Sequence, residues 1–527
     1  MRAALALVLP LVAVALHAQT YDWDWAWGAG GAGNDHGLVY TSPAGEVHLL
    51  GTYAGSITSN GVTLTSSGGN DIFVQRLDPA DGSVLWTAEA HHAGNLAIHA
   101  AAMRSTGELV VSGTIAHGGS TAQFGIFQVT GQPFGLQAFV AGISPTGQWT
   151  WVAAVNDPVS TEGWLVRVDA NDNILLGCKW GADMAVYRFT GAGVQGWSAT
   201  AASSGSSVDA YAMDVLPGGD LVLTGRFHGT TTFGGQSLTV GNAYYDVFVA
   251  RLSAAGTWTW AIQGGGSHWD KGFGACATAN GDVFVAGTFR NTATFGQHQV
   301  TAGGSNDVFV ARVSGAGQWL WVEGQGISAY MEVYGMALDP LGDQFALTGT
   351  YGNAAAVIGG VTLPVPQFND MYVAAFDTTG QAIAAMGFGS SSADQALSVG
   401  YGANHELYLA GYYGAAAPWG GISMPATQGY DLFVGRLTTD ITTTTPPVRT
   451  PDRLRLYTTE HGLRVENPLA VRGPLLVLDA TGRVIDQRPL TGAAVQDLSL
   501  PHLAPALYTW RVAASDGAVH GGRVVVP

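Results

Sequence analysis

Acidic residues recur at fixed places along this chain of 527 residues, where their carboxylates could bind a cation. One set opens short strands of alternating hydrophobicity: Asp71, Asp183, Asp246, Asp307, Asp370 and Asp431. A second set stands just before other short apolar strands: Asp35, Asp209, Asp270, Glu332 and Asp394. Several carboxylates around one opening would suit a hard cation such as Ca²⁺. Aspartate also satisfies turn N–H groups, and recurrence in most units favours that structural role. We therefore predict no resident cofactor, with Ca²⁺ as the alternative.

Two further groups of residues could hold a metal. His91 and His92 are adjacent and His99 is close by, but a zinc site needs further ligands at fixed spacing. The segment 169–173, Asp-Ala-Asn-Asp-Asn, resembles half of a calcium loop but lacks the following Gly and the distal Glu. An ordinary hairpin turn explains this segment better, and we favour no metal at either place.

Motifs of known catalytic sites are absent from the sequence. There is no Gly-x-Ser-x-Gly elbow, phosphate-binding loop or dinucleotide fingerprint. The segment 254–258, Ala-Ala-Gly-Thr-Trp, lacks the Asp that the repeated box of sialidase-type propellers needs. We therefore predict no catalytic residues.

An internal repeat carries these groups. A turn followed by an apolar strand ends in glycine seven times: Gly51, Gly113, Gly177, Gly225, Gly287, Gly349 and Gly411. The strands opened by aspartate follow, with one degenerate copy at Gln137. Most units are about 62 residues long and contain four short alternating strands separated by Gly, Asn or Asp turns.

Tryptophan-rich strands indicate how the repeat ends. Trp-x-Trp pairs such as Trp258 and Trp260 follow the aspartate strands, but none follows Asp431. A matching strand stands instead near the N-terminus, at Trp23, Trp25 and Trp27. In a ring this strand completes the last blade and leaves no open sheet edge. We therefore predict an all-β fold in which residues 19–438 form a seven-bladed β-propeller closed by its N-terminal strand. The tryptophans should pack between blades, with exposed sugar stacking as the alternative.

The units resemble the bacterial β-propeller repeat, with copies such as Asp246-Val-Phe-Val-Ala-Arg-Leu and the later strand that ends at Gly287. The resemblance implies the architecture and says little about activity. The third unit departs from it, because only five residues separate Gly177 from Asp183. We predict a trimmed edge there, with a ligand notch at Trp164, Trp180 and Tyr187. The irregular segment His117–Gln137 is a second candidate surface.

Composition and charge exclude several classes of protein. Hydrophobic residues make up 47% of the chain and charged residues 11%, which is too apolar for a disordered chain. The net charge is −17, opposite to what phosphate binding needs, so we predict no nucleic-acid partner. The two cysteines, Cys178 and Cys276, lie in different units, and two separate buried thiols are favoured over a disulfide.

The N-terminal residues predict export. Arg2 is followed by an apolar run to Leu16, which is typical of a cleaved secretory signal over residues 1–18. No later apolar run is long enough to span a bilayer, so we expect no transmembrane segment in the mature chain.

The C-terminal composition differs from the rest. Residues 439–452 are rich in Thr and Pro and predict an extended linker. Residues 453–527 contain several short strands that suggest a small Ig-like sandwich. The stretch from Leu476 to Val484 and the stretch from Leu500 to Val512 resemble the C-terminal type A sorting domain of the type IX secretion system, although Ala506 replaces its usual Gly and no final Lys is present. The resemblance implies that residues 453–527 engage the secretion machinery and place the protein outside a Gram-negative cell.

Three functions are compatible with these features. We favour a secreted or cell-surface binding protein, without enzymatic activity, whose rigid propeller contacts a glycan or a protein. A secreted glycan-active enzyme, a hydrolase or lyase, is the alternative and needs a general acid and base within reach of one substrate. A structural component of a surface layer is a third possibility.

Overall fold

A computed structural model describes residues 20–31, 33–116, 119–204, 207–241, 243–326 and 330–440, together with seven C-terminal segments between 455 and 526. The predicted signal at 1–18 and most of the predicted linker, 441–452, lie outside the described residues. Every regular element in the described residues is a β-strand. The chain divides after Asp440 into two compact units.

The described residues of the first unit form 38 strands. In chain order they are β1 (Thr20–Ala29), β2 (His36–Thr41), β3 (Val47–Ser59), β4 (Val62–Leu77), β5 (Val84–His91), β6 (Leu96–Met103), β7 (Leu109–Ala116), β8 (Thr121–Phe124), β9 (Phe127–Thr130), β10 (Leu136–Ile143), β11 (Trp149–Ala154), β12 (Thr161–Val168), β13 (Ile174–Trp180), β14 (Asp183–Phe189), β15 (Gln195–Ser204), β16 (Val208–Val215), β17 (Leu221–Phe227), β18 (Thr230–Phe233), β19 (Gln236–Thr239), β20 (Asp246–Leu252), β21 (Trp258–Gly266), β22 (Lys271–Ala277), β23 (Val283–Phe289), β24 (Thr292–Phe295), β25 (His298–Thr301), β26 (Asp307–Val313), β27 (Trp319–Gln325), β28 (Tyr330–Leu338), β29 (Gln344–Gly352), β30 (Val357–Ile358), β31 (Val361–Thr362), β32 (Asn369–Asp377), β33 (Ala382–Phe388), β34 (Gln395–Tyr401), β35 (Leu407–Tyr413), β36 (Ala417–Trp419), β37 (Ile422–Met424) and β38 (Asp431–Asp440).

Antiparallel four-stranded meanders are the recurring sheets, as in the β-propeller fold. Within the described residues they are β2-β3-β4-β5, β6-β7-β10-β11, β12-β13-β14-β15, β16-β17-β20-β21, β22-β23-β26-β27, β28-β29-β32-β33 and β34-β35-β38-β1. The middle strands are buried along most of their length, and β23 along all of it, because each sheet is covered on both faces. Tight turns join the strands: Asn60 and Gly61, between β3 and β4, both have positive φ, 41° and 86°.

The N-terminal strand pairs with the last strand of the unit. β1 runs antiparallel to β38, with Trp25 opposite Arg436 and Gly28 opposite Phe433. The first strands of the sheets also contact one another in cyclic order, β2, β6, β12, β16, β22, β28, β34 and back to β2. The predicted proximity of the stretches around Trp25 and Phe433 is therefore confirmed.

Tryptophans of the fourth strands lie between neighbouring sheets, as the alternation predicted. The Trp86 indole N–H donates to the Pro145 carbonyl of the next sheet at 3.0 Å, and the turn residue Gly147 lies against its ring. Trp25 makes the same contacts with the Pro79 carbonyl and Gly82. A side chain at either glycine would meet the indole, so the Trp strand and the glycine turn form one packing unit.

The trimmed third unit is also observed. In most units a short outer hairpin follows the second strand, as β8-β9, β18-β19, β24-β25, β30-β31 and β36-β37 do. Three of them add to the sheet before: β8-β9 pairs with β5, β18-β19 with β15 and β24-β25 with β21. Between β13 and β14 only a two-residue turn, Gly181 and Ala182, is present. The sheet that ends in β11 therefore carries no such hairpin.

The second unit has two small antiparallel sheets. Its described strands are β39 (Arg455–Thr459), β40 (Gly462–Glu466), β41 (Arg472–Leu478), β42 (Val484–Thr491), β43 (Val495–Ser499), β44 (Ala506–Ala513) and β45 (Val519–Val526). They are arranged as β39-β40-β43 and β42-β41-β44-β45. Val465, Leu475, Val477, Tyr508 and Trp510 lie in a shared core. In the described part of the chain no helix is long and apolar enough to cross a membrane.

Candidate functional site

The first strands of the sheets present corresponding residues at the centre of the ring. Each first strand has one residue that pairs with the second strand just after the repeated glycine. Asp209, for example, pairs with Arg226, which follows Gly225, and Lys271 pairs with Thr288, which follows Gly287. The corresponding residues are His36, Ala97, Glu162, Asp209, Lys271, Glu332 and Gln395. In the third sheet the register puts Cys178, and not Gly177, at the position of the repeated glycine, so Glu162 pairs with Lys179. Both signs of charge are therefore concentrated on four neighbouring sheets.

A β-bulge follows this position in six of the seven first strands. The register shifts around Tyr211, for example, so that Ala210 and Ala212 face consecutive residues of β17. The bulged residues are His99, Trp164, Tyr211, Phe273, Tyr334 and Leu397. Because a bulge redirects a side chain, the same four sheets that carry the charges each contribute an aromatic ring.

The four aromatic rings form a continuous row. Trp164 stacks on Tyr211 with ring centroids 5.8 Å apart, and Tyr211 stacks on Phe273 at 4.9 Å. Tyr334 meets Phe273 edge to face at 6.1 Å. All four side chains are partly exposed. We call Trp164, Tyr211, Phe273 and Tyr334 the aromatic row.

Charged groups border the aromatic row in pairs of opposite sign. The buried Asp209 carboxylate accepts a hydrogen bond from Arg226 Nε at 3.0 Å and lies 3.6 Å from Lys179 Nζ. Glu332 accepts the Tyr334 hydroxyl at 2.7 Å and lies 3.9 Å from Lys271 Nζ. Burial, reinforced by the Asp209 charge, raises the pKa of Tyr211, so this hydroxyl stays protonated and donates to Asp209 Oδ2 at 3.5 Å.

Cations also lie over the rings. Lys179 Nζ is 5.4 Å from the Trp164 ring centre and Lys271 Nζ is 5.7 Å from that of Phe273. The Arg226 guanidinium lies 5.6 Å from Tyr211. Each contact is within the range of a cation–π attraction. The side chains of the site hold one another in place, which reduces the entropy that a ligand must remove on binding.

A cavity of about 350 Å³ is lined in part by Lys271 and Glu332, which contact Phe273 and Tyr334 of the aromatic row. Trp269, Arg290 and Tyr330 form more of the cavity wall. Such a volume lies at the lower end of small-ligand sites. The row and the cavity together therefore form one candidate binding surface.

The five predicted rim carboxylates fall into two groups. Asp209 and Glu332 occupy the first-strand position that pairs with the residue after the repeated glycine. Asp35, Asp270 and Asp394 stand one position earlier and are turned inward. Asp270 accepts the Gly266 N–H at 2.7 Å and the Arg290 N–H at 3.0 Å, and Asp35 accepts those of Gly31 and Ala54 at 3.1 Å. These three residues tie the turns of adjacent sheets together, which is the structural role that the repetition favoured.

Each inward carboxylate has a third-strand aspartate of the preceding sheet as its electrostatic neighbour. Burial raises the pKa of Asp270 to about 7, and the charge of Asp246 adds to this. Burial also raises the pKa of Asp246 to about 7. Asp394 with Asp370, and Asp35 with Asp431, repeat the arrangement. The junctions thus contain pairs of buried carboxyl groups that hold protons more tightly than exposed ones.

The three predicted notch residues lie in two places. Trp164 belongs to the aromatic row. Tyr187 is buried in the core of its sheet, where its hydroxyl donates to Asp157 at 2.9 Å, and Trp180 packs against the same core. Trp180 and Tyr187 thus lie together in that core, and Trp164 reaches the candidate site through its bulge.

The histidine and turn candidates are accounted for by local bonds. His91 Nδ1 lies 2.8 Å from Asp71, His92 Nε2 lies 2.7 Å from the Ser120 hydroxyl, and His99 Nε2 lies 3.2 Å from Thr114. Asp169 accepts N–H groups of its own turn. Of the irregular segment His117–Gln137, His117 lies outside the described residues and the rest includes the β8-β9 hairpin.

Comparisons with known proteins give distant likenesses only. No protein-family model matches the chain, and no curated protein matches it. Among solved structures, quinohemoprotein alcohol dehydrogenase from Comamonas testosteroni is 8% identical over 79% of this chain and 76% of its own, with a TM-score of 0.34. A protein from Lactobacillus plantarum is 12% identical over 66% and 82%, with a TM-score of 0.38. A puromycin hydrolase variant is 12% identical over 76% and 60%, with a TM-score of 0.33.

Proposed function

We propose that the protein is an exported, non-enzymatic binding protein whose ligand, a glycan, docks on the aromatic row at the centre of a seven-bladed propeller. The carrying observation is the continuous row from Trp164 to Tyr334 with its border of paired charges. Seven four-stranded meanders and the pairing of β1 with β38 support the blade number and the closure.

A glycan suits this surface because sugars have apolar faces and polar edges. Aromatic rings provide flat contact area for the apolar faces. The carboxylates and cations beside them, such as Asp209 with Arg226 and Glu332 with Lys271, offer acceptors and donors for hydroxyl groups. The row spans four neighbouring sheets, which favours an extended oligosaccharide over a single sugar.

The geometry favours binding over glycan hydrolysis. A hydrolase needs one carboxyl group to donate a proton and a second to act as base or nucleophile. Asp209 is held by Arg226 and Lys179, and Glu332 by Tyr334 and Lys271. Carboxylates engaged in this way serve to fix the site and its charges, so we place no catalytic residue here.

Secretion forms the second part of the proposal. We propose that residues 1–18 are a secretory signal and that residues 453–527 form an Ig-like type IX sorting domain, leaving the propeller in the medium or on the surface of a Gram-negative cell. The two C-terminal sheets with their small core are compatible with such a domain. Fractionation of a type IX secreting host that expresses the full chain, or the chain ending at 440, tests this. Export of both forms alike would contradict the sorting role.

A glycan array probed with the purified full chain tests the binding proposal. We expect retention of an oligosaccharide class, and loss of at least tenfold in affinity in Phe273→Ala. Phe368→Ala is the matched control, since Phe368 is 61% exposed and lies outside the aromatic row. Thermal melting of both variants establishes that they are folded. Binding that survives Phe273→Ala in the folded protein, or an array without any retained glycan, would contradict the proposal.

A further inference from the structure

Two hairpin turns from neighbouring sheets bring together a histidine and two carboxylates. Asp339 and Asp343 lie in the turn between β28 and β29, and His405 lies in the turn between β34 and β35. One potential ligand atom from each residue lies within 4.8 Å of the other two. His405 Nδ1 is 2.8 Å from Asp339 Oδ2, and the Gln344 side chain contacts the same nitrogen.

In two other sheets an aspartate of the corresponding turn forms an ion pair with an arginine of the third strand. Arg251 of β20 pairs with Asp220 at 2.9 Å, and Arg312 of β26 pairs with Asp282 at 2.7 Å. The strand register places Ala375 of β32 where those strands have arginine. Among the described residues, no Lys or Arg forms a salt bridge with Asp339 or Asp343. Gln344 stands where those turns have the paired aspartate, so this turn lacks both members of that ion pair and holds Asp339 and Asp343 instead.

A buried hydroxyl gives a second, independent observation. Tyr401 is 2% exposed, and its hydroxyl has no hydrogen-bond partner among the described residues. It lies within electrostatic range of both Asp339 and Asp343. An unpartnered buried hydroxyl is costly, and a metal-bound water in this cluster would supply a partner. Asp339 itself is 2% exposed, so its charge is poorly solvated.

We infer that Asp339, Asp343 and His405 bind a divalent first-row transition metal ion, for which Zn²⁺ is the reference. One imidazole nitrogen with two carboxylate oxygens suits Zn²⁺, whereas Ca²⁺ and Mg²⁺ prefer oxygen ligands alone. Water completes the coordination. The ion neutralises the two carboxylates.

Such an ion would cross-link the two sheets next to the closure of the ring. His405 belongs to the sheet completed by β1, and Tyr21 of β1 lies within electrostatic range of Asp339. Because the ligands come from two sheets, the ion binds the folded ring better than the unfolded chain and stabilises it by mass action. This site is separate from the aromatic row, so its failure leaves the proposed glycan binding untouched.

Calorimetric titration of the full metal-free chain with ZnCl2, together with thermal melting, tests the inference. We expect one Zn²⁺ per chain, a higher Tm with Zn²⁺, and a much smaller effect with CaCl2. Asp343→Asn should weaken Zn²⁺ binding at least tenfold, and His405→Asn, which tolerates the positive φ of 64°, should do the same. Cobalt substitution should give visible absorption bands that both variants lose.

A matched variant separates this site from general charge effects. Asp81→Asn removes an exposed carboxylate outside the cluster and should bind Zn²⁺ as the parent chain does. Zn²⁺ binding that is equal in Asp343→Asn and the parent chain would overturn the inference, as would the absence of binding or an equal response to Ca²⁺.

Discussion

Arg436 and Asp24 form an ion pair at 2.8 Å although 412 residues separate them in the chain. Arg436 also reaches Glu406 at 3.3 Å, so one guanidinium joins β38, the incoming β1 and the turn before β35. The N-terminal strand is therefore held by side chains as well as by its backbone ladder.

Loss of a large side chain on the closing strand should destabilise the propeller. Trp23 is 8% exposed and packs on Phe388 and Trp419, with ring centroids 5.0 and 5.5 Å away. We expect Trp23→Ala to lower the free energy of unfolding by about 3–5 kcal/mol, measured by urea denaturation. Trp269→Ala, at a residue 48% exposed, is the matched control and should change it far less. Equal effects of the two variants would argue against closure by β1.

The paired carboxyl groups between sheets should make stability depend on pH. The pKa of Asp246 is raised to about 7, and an unfolded aspartate titrates near 3.9. Between about pH 4 and pH 7 the folded chain therefore holds a proton that the unfolded chain has released. This contribution to the free energy of unfolding falls as the pH rises through that window.

Asp246→Asn tests this dependence because it mimics the protonated residue. Relative to the parent chain, we expect the variant to gain stability as the pH rises from 4 to 8. Urea denaturation at several pH values gives the difference directly. A difference that stays constant across this range would show that Asp246 does not titrate in it.

Breaking one charge pair beside the aromatic row should be costly. Asp209 is 1% exposed, and without Arg226 it would keep one of its two cationic partners, Lys179 at 3.6 Å. We expect Arg226→Met to destabilise the chain by about 3 kcal/mol, since it leaves a buried charge poorly paired. Adding Asp209→Asn should restore part of the loss. A double-mutant cycle with no coupling would contradict the pairing.

The two cysteines should be unreactive in the folded chain. Cys178 and Cys276 are both free and buried, and burial raises the pKa of each thiol. We expect no reaction of the native protein with a thiol reagent such as DTNB at pH 8, and two thiols per chain after denaturation. Fewer than two thiols in the denatured, unreduced protein would indicate a disulfide.

The sequence by itself determined the repeat, the place of closure and the shortened third unit, because each depends on local patterns. Alternating side chains and turn glycines specify the strands, and the displaced tryptophan strand at Trp23 to Trp27 identifies the partner of β38. The strand register corrects one of these landmarks: Cys178, and not Gly177, lies where other second strands have the repeated glycine, and it faces Ala185 where other third strands have a phenylalanine such as Phe248.

Only the tertiary structure decided which residues meet at the centre of the ring and between its turns. Bulges in the first strands interrupt the alternation, so periodicity did not reveal that Trp164, Tyr211, Phe273 and Tyr334 form one row. The strand register likewise divided the predicted carboxylates. Asp209 and Glu332 occupy one position of the first strands, whereas Asp35, Asp270 and Asp394 stand one residue earlier. Asp339 and His405 are 66 residues apart and become neighbours because adjacent sheets place their turns side by side.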